Sequence, residues 1–165
     1  MSGSPAGATQ RAWGLLARQA CVRAVAPPPV PAGATRAAGD RAMPKDVLFI
    51  HPGRHDVEYQ GLAREFTAVA PPAWTALLAA AACNLGHDVA IHDVNVLGWS
   101  DATARALLDL HDPRLVVMMV YGHNPSASTQ TMPAASGIAR DIRRIDPGRA
   151  VAMGGLHPSA LPART

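Results

Sequence analysis

The sequence predicts an α/β protein of the flavodoxin/Rossmann-like kind, a parallel sheet between two layers of helices. Three observations carry this. Four short, continuously apolar runs follow residue 43, each bounded by Gly, Pro or Asp. Such runs suit strands buried on both faces. Longer stretches with helix start and stop signals separate them, and strand–helix–strand alternation needs crossovers that make the sheet parallel.

Each element has its local reason. Val47-Leu48-Phe49-Ile50 is a buried strand running into His51-Pro52-Gly53. Trp74 to Leu85 is an Ala/Leu-rich helix, opened by Pro71-Pro72 and stopped by Gly86. Val89-Ala90-Ile91 is the second strand, ending at His92-Asp93. Ser100 or Asp101 caps a helix through Leu110 that closes at Asp112-Pro113. Leu115 to Val120 is the third and most apolar strand. A helix from Ser128 or Thr129 to Ile145 ends at Asp146-Pro147-Gly148. Ala150 to Met153 is the fourth strand, leading into Gly154-Gly155. Doubly wound domains usually add a fifth strand and helix that cover the open edge, so truncation after the fourth strand is expected.

The 165 residues suffice for one domain with a real core, here expected over residues 44–165. The formal charge of +3 is unevenly placed. Residues 1–43 carry Arg11, Arg18, Arg23, Arg36 and Arg41 against Asp40 alone, whereas the remainder has ten basic and eleven acidic side chains. That leader is rich in Ala, Pro and Arg, and Pro27-Pro28-Pro29-Val30-Pro31 excludes helix and central strand. Three readings stand for it: a disordered extension, coding sequence from a start placed too far upstream, or a transit peptide. Trp13 to Val25 can form a short basic amphipathic helix. The body offers no basic face for nucleic acid beyond Arg140, Arg143 and Arg144 on one helix. The longest apolar run, Leu115 to Val120, is too short to span a bilayer, so a cytoplasmic place is expected. Two cysteines, Cys21 and Cys83, make neither a disulfide framework nor a zinc motif.

Common chemistries find little support. There is no GxGxxG after the first strand, no GxxxxGK[ST] and no GxSxG elbow. Cys83 lies within an Ala-rich helix and reads as an inert thiol. His87, His92 and His111 sit at element ends without partners in metal-ligand spacing, and read as structural. The unusual residues gather instead in loops at the carboxyl ends of the strands, where open α/β sheets bind ligands. These are His51-Pro-Gly-Arg-His55, Tyr121-Gly-His-Asn-Pro-Ser126, and Gly154-Gly-Leu-His157-Pro. Asn124, Ser126, Ser128 and Thr129 offer hydrogen bonds there, and the glycine pair lets a ligand approach backbone closely. A tight turn and helix cap explains such a pair equally well.

The body resembles a known family. DVLFIHP, PPAWTALLAAAACNLGHDVAIHDVN, LVVMMVYGHNPSASTQTM and AVAMGGLHPSALPART occur in order from Asp46 to Thr165. They are similar to the amino-terminal cobalamin-binding domain of radical S-adenosylmethionine proteins, a group that includes cobalamin-dependent methyltransferases. The resemblance implies base-off cobalamin, its nucleotide tail inserted along the sheet edge. Gly154 and Gly155 match the family's Gly-Gly pair against that tail. The binding loops bring in His51 and Pro52, Tyr121, Gly122, His123, Asn124, Ser126, Ser128 and Thr129, and His157. The wider fold often carries Asp-x-His-x-x-Gly after the first strand, with the His on cobalt. This chain reads His51-Pro52-Gly53-Arg54-His55-Asp56, leaving water, no ligand, His51 or His55 as the lower ligand.

In that family S-adenosylmethionine and a 4Fe-4S cluster belong to a domain with a CxxxCxxC triad, which two distant cysteines cannot supply. The expectation is a domain that binds cobalamin without catalytic residues of its own, serving a radical S-adenosylmethionine domain that is missing or separately encoded. Two other readings remain at this stage: a flavodoxin-like domain for a flavin or nucleotide, and a non-catalytic interaction module.

Overall fold

The computed structural model describes residues 22–23, 44–53, 71–122 and 125–164. Its strands are β1 (Val22–Arg23), β2 (Val47–His51), β3 (Val89–Asp93), β4 (Leu115–Met119) and β5 (Ala150–Gly154). The helices are α1 (Ala73–Asn84), α2 (Val94–Leu97), α3 (Asp101–His111), α4 (Pro125–Ile145) and α5 (Leu156–Ala160), followed by a 3-10 turn at Pro162–Arg164. All strand pairs are parallel, in the order β1-β3-β2-β4-β5. The flavodoxin-like α/β arrangement expected from the sequence is what the chain adopts.

The strand order locates the functional edge. The chain passes from β2 outward to β3, then crosses back over β2 to β4 and continues to β5. Direction reverses between β2 and β4, so the switch point lies beyond His51 and Met119.

Strand alternation divides the core. Leu48, Ile50, Ala90, Val116 and Met118 pack with Leu107 and Leu108 of α3 and with Met132, Ala135, Ile138 and Ile142 of α4. Phe49, Val89 and Met119 pack on the other face with Ala79 of α1, joined by Val47, Ile91 and Val117. At the amino ends of the strands, polar contacts fix the register. Asp46 accepts the Asp88 N–H, and Lys45 pairs with Asp88 at 2.9 Å. Arg149 reaches Asp112 at 2.9 Å and Asp146 at 2.8 Å, and donates to the Pro113 carbonyl.

The structure refines several expected boundaries. Ser100 is the cap of α3, its hydroxyl accepting the Thr103 N–H. Helix α4 starts at Pro125 rather than at Ser128 or Thr129, and continues through Pro133. α2 and α5, each shorter than two turns, carry too little periodicity to read from sequence. A fifth strand also joins the four expected. Val22–Arg23 extends along β3, where the sequence reading had the end of a helix; the rest of residues 1–43 lies outside the described residues.

Candidate functional site

The ends of β2, β4 and β5 form a rim at the switch point, and strand register fixes which side chains share it. His51 lies beside Asp93, and Met119 beside Gly154, while Ile50 opposite Met118 aligns β2 with β4. Phe49 and Met119 face α1. Alternation puts His51 and Gly154 on that same face. Asp93, His51, Met119 and Gly154 therefore make one row across the sheet. Asp93 is engaged locally, accepting the Asn95 N–H at 3.0 Å to cap α2.

Among the described residues this face is only partly covered. α1 packs over β3 and β2. Beyond it, β5 presents only Ala150, Ala152 and Gly154, and both alanines are exposed. The result is a shelf over β4 and β5, walled on one side by α1. Trp74, at the start of α1, stacks on Tyr121 with ring centroids 4.8 Å apart, which ties the helix to the loop after β4. Trp74 is a rim residue that the sequence reading missed, since it sits inside an ordinary Ala/Leu helix. Thr75, the next residue, is buried on the inner side of α1 with its hydroxyl unpartnered.

The other expected site residues serve the rim's construction. A Cβ on Gly122 would lie 2.4 Å from the Ala127 Cβ, so α4 starts hard against this glycine. Ser128 is fully buried and donates to the Val120 carbonyl at 2.8 Å. Thr129 is hydrogen-bonded to His157 Nδ1 at 3.0 Å, joining α4 to α5. Ser126 is exposed in the first turn of α4, and Pro52 is buried. His55, His123 and Asn124 lie outside the described residues.

The glycine pair divides into two roles. Gly155 has φ 129° and caps α5, and a Cβ there would lie 1.9 Å from the Val120 carbonyl oxygen. Its missing side chain is required by the chain's own backbone. At Gly154 the nearest atom to a Cβ would be the Met119 sulfur at 3.3 Å, the flexible end of a side chain. Gly154 is the member that leaves space on the shelf.

A second groove, of about 420 Å³, opens on the opposite face of β5, lined by Ala139, Arg143, Val151, Met153, Pro158 and Pro162. It lies at the sheet edge, away from the switch point, and its cation Arg143 already donates to the Arg149 carbonyl. The shelf is the better candidate. Among the described residues no group of three or more His, Cys, Asp or Glu side chains could hold a metal ion, and no helix is long and apolar enough to cross a membrane.

Fold and rim together define a doubly wound domain with an open shelf, among the described residues, next to its switch point. A family model described as "B12 binding domain" matches residues 59–165, and the chain belongs to that family. The matched span takes in α1, β4, β5 and the glycine pair. No curated protein and no solved structure matches the chain.

Proposed function

We propose that the chain binds cobalamin in its base-off form, with the nucleotide tail lying on the shelf over β4 and β5. The observation that supports this best is the face of β5, which offers nothing larger than a methyl group alongside β4, the strand whose Met119 borders the switch point. The chain's residues fit such a group: Gly154 leaves open what a Cβ would fill, and Trp74, Tyr121 and Met119 supply an apolar wall. His51 stands in the rim row and is the candidate lower ligand to cobalt among the described residues. When bound, the cofactor supplies methyl-transfer or radical chemistry; the chain's own residues orient it and exclude water.

We place the domain in the service of a radical S-adenosylmethionine methyltransferase-like activity whose S-adenosylmethionine and 4Fe-4S cluster are held by another polypeptide segment. The ordered resemblance from Asp46 to Thr165 supports this context.

The test is spectroscopic. Cobalamin mixed with excess full-length chain should shift its visible spectrum to the base-off form. A spectrum identical to the free cofactor, with the protein shown to be folded, would refute cobalamin binding. His51→Ala separates the axial ligands: a further spectral change places His51 on cobalt, and an unchanged spectrum removes it.

A further inference from the structure

We propose that α1 carries a second apolar face, turned away from the sheet, on which two copies of this chain pair antiparallel across a two-fold axis. The pairing does not require bound cobalamin.

A surface helix normally keeps one apolar stripe inward and turns its charges to water. α3 and α4 do so: Asp101, Arg105 and Asp109 on the first, and Arg140, Arg143 and Arg144 on the second, are exposed. α1 does not. Ala73–Asn84 contains no charged residue, and its buried residues are Thr75 and Ala79. Ala79 packs on Phe49 and Met119 of the sheet. Yet Trp74 is 51% exposed, Leu77 61%, Leu78 42% and the C-cap Leu85 79%. At the helical turn per residue, these four and Ala81 fall within about 100° of arc, a stripe about 17 Å long. Among the described residues it is left to solvent apart from the stack of Trp74 on Tyr121. Scattered surface leucines are ordinary, whereas a contiguous stripe of this kind marks a contact surface.

Charge, shape and dipole each select a second copy as the occupant. A stripe without charges offers nothing to a charged partner, and two such stripes meet without like-charge repulsion. With α1 antiparallel to itself, Leu78 meets the second copy's Ala81, so large faces small on both sides of the axis. Trp74 meets the second copy's Leu85 at the helix end, where Gly86 has open space around it. α1 also has no acidic residue in its first turn and no basic residue in its last. An antiparallel copy sets the positive end of one helix dipole beside the negative end of the other. With a free Trp or Leu showing roughly 150–250 Å², the four exposures amount to about 400 Å² per copy. Doubled, that is the low end of specific interfaces, so the dimer is dissociable, with Kd on the order of 10 µM.

Sedimentation equilibrium of the full-length chain, from about 1 to about 200 µM to bracket that Kd, reads the pairing directly. The apparent mass should rise from one 17.2 kDa chain toward two. It should do so equally at low and high salt, since no ion pair is involved. Leu77→Glu should weaken the dimer about tenfold or more by burying an unpaired charge, and leave the melting temperature of the dilute monomer unchanged. Ala81→Leu should weaken it about tenfold by overfilling the slot that takes Leu78. Leu78→Ala combined with Ala81→Leu exchanges large for small, and should restore the parent Kd within about threefold.

A parent that stays monomeric throughout overturns the proposal. If Leu77→Glu then also melts lower, another segment of this chain covers the stripe; if it melts as the parent does, the stripe faces a different partner or solvent. A dimer that Leu77→Glu leaves intact, or that salt disperses, overturns it as well. So does a double variant no tighter than Ala81→Leu alone, because the antiparallel register is then wrong.

Discussion

On the α3–α4 face of the sheet, Leu48, Ile50, Val116 and Met118 meet Leu107, Met132, Ile138 and Ile142, and Val151 and Met153 extend that layer to the edge strand. Polar ties reinforce it: Trp99 Nε1 donates to Asp141 at 3.1 Å, and Arg144 joins Asp141 to Asp101. On the α1 face, side chains of comparable size lie beneath the helix at β2 and β3, then shrink to Ala150, Ala152 and Gly154 on β5. One face is built as a core, and among the described residues the other stops being a core at β4. The unfilled part begins where the strand order reverses, which is where a bound group can take the place of side chains.

The sharpest way to break this contrast is to perturb the rim where it is tightest. Gly155→Ala places a Cβ against the Val120 carbonyl at a backbone angle that side chains disfavour. We expect a loss of about 3 kcal/mol or more in urea denaturation, or failure to fold. Such a variant would report on the joint between β4 and β5, the tight-turn and cap alternative that the sequence offered for the glycine pair beside the ligand contact implied by the resemblance. Unchanged stability would mean that the rim is looser than the packing requires.

Acid should attack the closed face first. His92 is fully buried there, its Nε2 against the Gly98 carbonyl and its ring edge-on to Trp99, 6.0 Å between centroids. Burial pushes the His92 pKa below its ordinary value near 6.5, outweighing the Gly98 hydrogen bond and the charge of Asp93. Burial lowers His111 as well, helped by Lys45 and His92. The unfolded chain therefore takes up these protons before the folded one does. Stability should be complete above about pH 6.5 and fall as pH drops from there toward the depressed folded values. The carboxylates respond lower: Asp46, held down by the Asp88 N–H, and Asp101, held down by Arg144, both sit below the ordinary 3.8. Melting curves between pH 8 and pH 4 should show the decline, and His92→Phe should flatten part of it. An equal slope in the variant would remove His92 from the account.

The layered sheet was legible because its signals are local and redundant. Val47 to Ile50 and Leu115 to Met119 are apolar on both faces, and Ser100, Gly86 and Pro147 punctuate the helices between them. The rim was legible only as an address. Sequence placed Ser128 and Thr129 where the loop after β4 meets its helix, with hydroxyls offered to a ligand, whereas α4 begins three residues earlier and occupies the hydroxyl of Ser128 with Val120. That choice depends on how closely α4 approaches Gly122, a tertiary fact with no sequence period. Trp74 was hidden for the opposite reason. Its helix, AWTALLAAAACN, has apolar residues all round, so no pattern sets Trp74 apart.

The smallest expected effect is the most informative about the open face. Gly154→Ala adds a methyl to the end of β5, 3.3 Å from the Met119 sulfur, in a strand conformation that alanine adopts freely. Met119 can turn its thioether aside, and alanine loses less chain entropy than glycine on folding. Stability should stay within about 0.5 kcal/mol of the parent. The same methyl occupies the shelf, so cobalamin affinity should fall by about threefold, the small change expected of one added carbon at a packed contact. Two adjacent glycines would then separate cleanly, one read by denaturation and its neighbour by titration. If Gly154→Ala instead destabilised the chain as much as Gly155→Ala, the face of β5 would be structurally closed, and the shelf would have no room for a tail.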